Sequence, residues 1–129
     1  MANLTTYAEN ALLNKLLRNT DFTQPVTVYL ALFTTATDPT GAGTEVAGFG
    51  YARQPITFNA PAGGVVAQAA DIVFPQAAGG DWGVIGWAAL MSAVTGGNML
   101  YQGPLATART ILNGDQAKFA AAVLTAALS

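Results

Sequence analysis

The sequence predicts a mainly β protein: an antiparallel β-sandwich, jelly-roll-like in outline, with one N-terminal α-helix. Three observations predict it. Turn signals, chiefly glycine pairs and an Asn-Gly, recur along the chain and divide it into about eight short apolar runs, the spacing of a sandwich or barrel. The run Val26 to Phe33 is rich in β-branched and aromatic residues and apolar on both faces, as a strand buried in the middle of a sandwich is. One segment alone, near the N-terminus, carries amphipathic helical spacing.

That segment predicts a helix from about Tyr7 to Arg18. Thr6-Tyr7-Ala8-Glu9 has the spacing of a capping box, in which an N-cap Thr and a Glu three residues on satisfy each other's free backbone N–H groups. Leu12, Leu13, Leu16 and Leu17 follow at helical spacing. Lys15 and Arg18 suit the negative end of the helix dipole. The leucine face has two readings. It packs on the chain's own core, or it docks on a neighbouring subunit through Leu13 and Leu17.

The β region runs from about residue 26 to 128, in a single domain spanning 1–129. Asp38-Pro39-Thr40-Gly41-Ala42-Gly43 is a loop. Gly48-Phe49-Gly50-Tyr51 is a second loop with two aromatics between glycines, which either touch a neighbouring subunit or fold back on the sandwich as a lid. Arg53 to Phe58 reads as a strand that Pro55 demotes to an edge or bulge. Val65 to Ala67 and Asp71 to Phe74 read as short strands, and Trp82 to Met91 as a long one. Met99 to Leu105 and Thr107 to Leu112 follow, the second ended by Asn113-Gly114, a strong hairpin signal. Ala117 to Leu128 is assigned as a last strand with Phe119 and Val123 on one face, against the helix propensity of its alanines.

Composition narrows the function. Charged residues are 9% of the 129 and hydrophobic ones 52%, whereas an average domain carries about 25% charged residues. A chain so poor in charge gives part of its surface to other subunits, because a bare apolar surface drives association. Histidine and cysteine are absent. Triads, thiolate chemistry and the commonest metal ligands are therefore excluded. Five basic residues and a formal net charge of −2 make a poor nucleic-acid footprint. The N-terminal stretch carries Glu9, Asn14, Lys15 and Arg18 and does not read as a signal peptide. The apolar run Trp82 to Val94 is shorter than the roughly 20 residues of a membrane span.

Asp38, Asp71, Asp81, Asp115 and Glu45 are the candidate carboxylates. The four aspartates lie beside glycine, proline or a strand start, where Asp forms turns. Gly41 to Gly48 lacks the lysine of a phosphate loop. Arg53 is placed to pair with Glu45 across neighbouring strands, and Trp82 and Trp87 are assigned to the core. No enzymatic activity, cofactor or bound transition metal is expected.

Several segments together resemble a family. They are Leu12-Leu13-Asn14-Lys15-Leu16-Leu17-Arg18, Val28-Tyr29-Leu30-Ala31-Leu32-Phe33-Thr34-Thr35, Gly43-Thr44-Glu45-Val46, Tyr51-Ala52-Arg53-Gln54, Trp82-Gly83, Gly96 to Gly103 and Asn113-Gly114-Asp115. The series resembles small bacteriophage virion proteins, labelled tail-fibre-like and in some cases behaving as capsid decoration proteins. The resemblance covers nearly the whole chain and is most specific from Leu12 to Arg53. It departs at Ala117 to Leu128, where more alternation of Thr or Ser with apolar residues is usual. It supplies no catalytic residue.

The resemblance implies a virion structural protein, and the N-terminal stretch, which does not read as a signal peptide, makes the host cytoplasm the expected site of synthesis. The leading expectation is a capsid decoration or cement protein bound over the major capsid protein. The alternative is a tail or tail-fibre-associated protein in host adsorption, for which Phe49, Tyr51, Trp82 and Tyr101 would be the glycan platform. Homo-oligomers are expected, with no nucleic acid or membrane partner. Phe49, Tyr51, Leu13 and Leu17 are the candidate interface residues.

Overall fold

In the computed structural model, which describes residues 3–127, two central strands organise the fold. Val28–Phe33 (β2) and Gly83–Met91 (β6) pair antiparallel, from Tyr29 opposite Met91 to Phe33 opposite Trp87. Met99–Ile111 (β7) flanks β6, and Asn3–Leu4 (β1) adds to the outer edge of β7. Gln54–Ile56 (β3) closes the other edge, giving the order β1-β7-β6-β2-β3. Pro55 therefore sits on an edge strand, where a missing N–H costs least.

Two antiparallel ribbons make the opposing layer. Val65–Ala67 (β4) pairs with Thr125–Ala127 (β9), and Ile72–Val73 (β5) with Lys118–Phe119 (β8). Leu30, Leu32, Ile85, Ala88 and Leu90 of the sheet are buried with Ile72, Phe74, Phe119 and Leu124 from this layer. The other face of the sheet is buried as well, through Ala31, Phe33, Ala89, Met91 and Met99, with Trp87 packed against them. The 34–45 loop folds back beside this second face. Its buried Thr37 donates to Gln102 Oε1 at 2.8 Å, and a Cβ on Gly43 would lie 3.0 Å from the Phe33 ring. Burial on both faces is why β2 reads as an unbroken apolar run.

The helix (α1) spans Thr6–Leu17, within one residue of expectation at each end, but its cap is different. Thr5 is the N-cap; its hydroxyl accepts from Ala8 N–H at 3.3 Å and donates to Met99 O at 2.5 Å. The capping box on Thr6 does not form, because Thr5, at 1% exposure, is the threonine fixed by both the helix and β7.

Two further expectations are corrected. The predicted strands Met99–Leu105 and Thr107–Leu112 are one strand with a large bulge. Ile85 pairs with Arg109 and Trp87 with Pro104, so Leu105 to Ala108 arch out opposite the single residue Gly86. The predicted final strand is two short ones, β8 and β9, separated by a turn with Ala122 at φ +67°. Phe119 is buried while Val123 is exposed, so they do not share a buried face. Buried Gln68 shapes this turn: its amide donates to Phe119 O at 2.9 Å and its carbonyl accepts from Leu124 N–H at 3.3 Å. Leu128 lies outside the described residues.

Candidate interaction surface

Glu45 anchors the loop that follows β2. Bridged to Phe33 on the free side of that strand, it accepts from Arg53 Nε and from the terminal guanidinium nitrogen, each at 2.8 Å. The other terminal nitrogen of Arg53 donates to Ala93 O and Gly96 O, both at 2.8 Å, and so ties in the β6–β7 turn. The Tyr51 hydroxyl donates to Glu45 Oε2 at 2.6 Å and accepts from Leu32 N–H at 3.0 Å. Burial pushes the Glu45 carboxyl up, but the hydrogen bonds from Arg53 and Tyr51 and the guanidinium charge outweigh it and hold its pKa below the usual value. Burial, followed by the hydrogen bond to Glu45, pushes the Tyr51 phenol well above its ordinary range. Arg53 pairs with Glu45 as the sequence predicts, and its role here is structural.

The two aromatics of the 48–51 loop part company. The Tyr51 ring stacks on Phe74 with centroids 6.1 Å apart and meets Trp82 edge-on at 5.4 Å. It packs on the core, as the lid reading has it and contrary to the expectation that Tyr51 touches a partner. Phe49 remains 48% exposed. Its backbone is at φ +53°, unusual for a bulky residue, and is held there by two bonds to its carbonyl, from Trp82 Nε1 at 3.0 Å and Ala78 N–H at 3.1 Å. The ring lies over Gly79 and Gly80; a Cβ on Gly80 would come within 2.6 Å of it. Close by, Gly79 N–H donates to the Asn113 side chain, next to half-exposed Leu112. Phe49 and Leu112 thus lie, both half-exposed, on adjoining loops at the Ile111 end of β7, which form the tip of the sheet.

A second apolar surface lies on α1. Ala8 is its buried residue, while Leu13, Leu16 and Leu17 are 54%, 73% and 77% exposed. Leu13, Leu16 and Leu17 therefore do not pack on the chain's own core, whereas Leu12 is half-buried. Lys15 forms an ion pair with Asp21. Arg18 donates to Asn14 at 3.1 Å within the helix. Lys15 is thus paired within the chain, and exposed Arg18 stands at the border of the leucine face. The candidate interface residues thus fall on separate surfaces, Leu13 and Leu17 on α1 and Phe49 at the tip, with Tyr51 inside. Leu16 and Leu112 are exposed beside them, outside the four candidate interface residues. The i, i+3, i+4 spacing of Leu13, Leu16 and Leu17 carried the signal for Leu16.

The carboxylates serve turns. Asp38 accepts from Thr40 and Ala42 N–H, Asp71 from Ala121 N–H, Asp81 from Asn113 N–H and Asp115 from Leu112 N–H. Among the described residues no three His, Cys, Asp or Glu side chains converge as a metal site would require, and no helix is long and apolar enough to cross a membrane. Trp82 is buried and Tyr51 half-buried, so the four aromatics considered for glycans form no open platform.

Residues 3–127 match a protein family described as Podophage GP4 fiber I protein gp80. No curated protein matches the chain at a significant level.

Proposed function

We propose that this chain, which belongs to the podophage GP4 fiber I protein gp80 family across residues 3–127, is a structural subunit of the tail-fibre apparatus of a bacteriophage. The family match is the observation that carries this reading, and it covers the helix and every strand described. The leucine face of α1 and the Phe49 tip support it, because an assembly subunit needs apolar surface left open by its own fold. We further propose that the protein is not an enzyme and that its partners are other virion proteins. The carboxylates are committed to turns and to the Arg53 pair.

A capsid decoration protein is the second reading. One observation favours it: among the described residues the chain forms a short sandwich and no shaft-like extension. Gold-labelled antibody against the chain, applied to intact virions, separates the two. Label at the tail supports the fibre reading, and label spread over the head replaces it with the decoration reading.

A further inference from the structure

We propose that copies of this chain associate head to tail, the leucine face of α1 in one copy seating on the Phe49–Leu112 tip of the next. The inference rests on the structural-subunit reading only in requiring several copies side by side.

The two surfaces lie at different ends of the sheet. α1 is fixed to the start of β7 through Thr5 and Met99, whereas the tip is built where β7 ends, through Trp82 N–H on Ile111 O and Asp81 on Asn113 N–H. The nine residues of β6 run between these ends, roughly 30 Å at about 3.3 Å per residue. Two distinct surfaces that fit one another give a heterologous contact, which closes as a ring or continues as a file.

Their chemistry is complementary. Both centres are apolar, Leu13, Leu16 and Leu17 against Phe49 and Leu112. Arg18 borders the helix face, and among the described residues its side chain bonds to neutral Asn14 and enters no ion pair. Asp81 and Asp115 border the tip, accept backbone N–H groups and take part in no ion pair among the described residues. A pairing of α1 with α1 would instead set Arg18 near its own copy and leave the tip bare.

The tip is also held ready. The strained Phe49 backbone is fixed by Trp82 and Ala78, and Gly80 leaves room for the ring beside it. An anchor whose backbone is fixed before contact has less conformational entropy to lose on binding. Four leucines and one aromatic cover roughly a few hundred Å², less than the roughly 800 Å² per partner of a stable complex, so association is expected to be concentration-dependent.

Complementary mixing tests the proposal by sedimentation equilibrium. Leu16→Ser removes the helix surface and leaves the tip. Phe49→Ser removes the tip and leaves the helix. Each variant alone is expected to be monomeric at concentrations where the unaltered chain associates. Their equimolar mixture is expected to form 1:1 dimers and nothing larger, since one good contact survives between unlike copies. Self-association of Phe49→Ser at unaltered strength, a mixture that stays monomeric, or an unaltered chain that stays monomeric at high concentration would each overturn the proposal. If Phe49→Ser loses thermal stability, Leu112→Ser probes the same tip from outside the core. Presence of the chain in the virion is a separate measurement, so failure of the mixing result leaves the structural-subunit reading standing.

Discussion

Arg53 grips Glu45 through two parallel hydrogen bonds of 2.8 Å and spends its remaining nitrogen on the Ala93 and Gly96 carbonyls. One side chain thus joins the loop after β2 to the β6–β7 turn, with the Arg53 side chain 9% and Glu45 24% exposed. Arg53→Met leaves a partly buried carboxylate and two carbonyls without their donor. The expected cost is about 2–4 kcal/mol, below the upper range for a fully buried pair because Glu45 keeps some solvent. Thermal denaturation of the variant measures it, and a melting temperature unchanged within a degree would refute the role assigned to the pair.

The same pair sets an acid limit. The folded-state pKa of Glu45 lies below its unfolded value, so its stabilisation is complete above the unfolded pKa of about 4.3 and is lost as pH falls through the folded pKa. Stability is therefore expected to stay level near neutrality and to decline below about pH 4.5. Glu45→Gln should be less stable at neutral pH and show a shallower acid decline. Asp38, also held below its usual value by its hydrogen bonds to Thr40 and Ala42, supplies part of the decline that remains.

The Phe49 and Tyr51 rings should separate under mutation. Tyr51→Ala removes a ring packed on Phe74 and Trp82, at an expected cost of roughly 3–5 kcal/mol. Tyr51→Phe leaves Leu32 N–H without its acceptor and Glu45 without one donor, costing about 1–3 kcal/mol. Phe49→Ala removes a half-exposed ring, for about 1 kcal/mol or less. Equal losses in Phe49→Ala and Tyr51→Ala would contradict the division of roles.

How much of this was legible depends on how local each cause is. The strand Val65–Ala67, the edge position of Pro55 and the Glu45–Arg53 pair follow from patterns within a few residues of one another. The burial of Tyr51 does not, because its partners Phe74 and Trp82 come from distant strands. The break placed at Ala106 was a true irregularity, but local composition does not distinguish a strand end from a bulge held in register by Arg109 and Pro104. The tail resisted for the same reason. Its turn is held by Gln68, more than fifty residues upstream of Leu124. On α1, spacing marked the leucines as one face, while their exposure was decided by how little of the helix the sheet covers.

Thr5 and Thr6 offer a clean contrast at the helix start. Thr5→Ala loses the cap on Ala8 and the bond to Met99 O, and should cost about 1–2 kcal/mol. Thr6→Ala is exposed in the first turn and should stay within about 0.5 kcal/mol. Chemical denaturation of the two variants in parallel checks this, and the reverse order would restore the capping box on Thr6.

Gly80→Ala tests the seat of Phe49. The new methyl would lie 2.6 Å from the ring, which must swing away. Because the ring is half-exposed and free to turn outward, the expected cost is about 1 kcal/mol, and it should vanish in a Phe49→Ala background. Additive effects in the double variant would show that the two residues do not touch.

The central claim is that the chain is a structural subunit of the tail-fibre apparatus, and its copy number in the virion tests that claim most directly. Quantitative mass spectrometry of purified particles, scaled to the major capsid protein, should find from a few to a few dozen copies per virion. Hundreds of copies would place it on the capsid shell and contradict the fibre reading, and its absence from purified particles would contradict a structural role altogether.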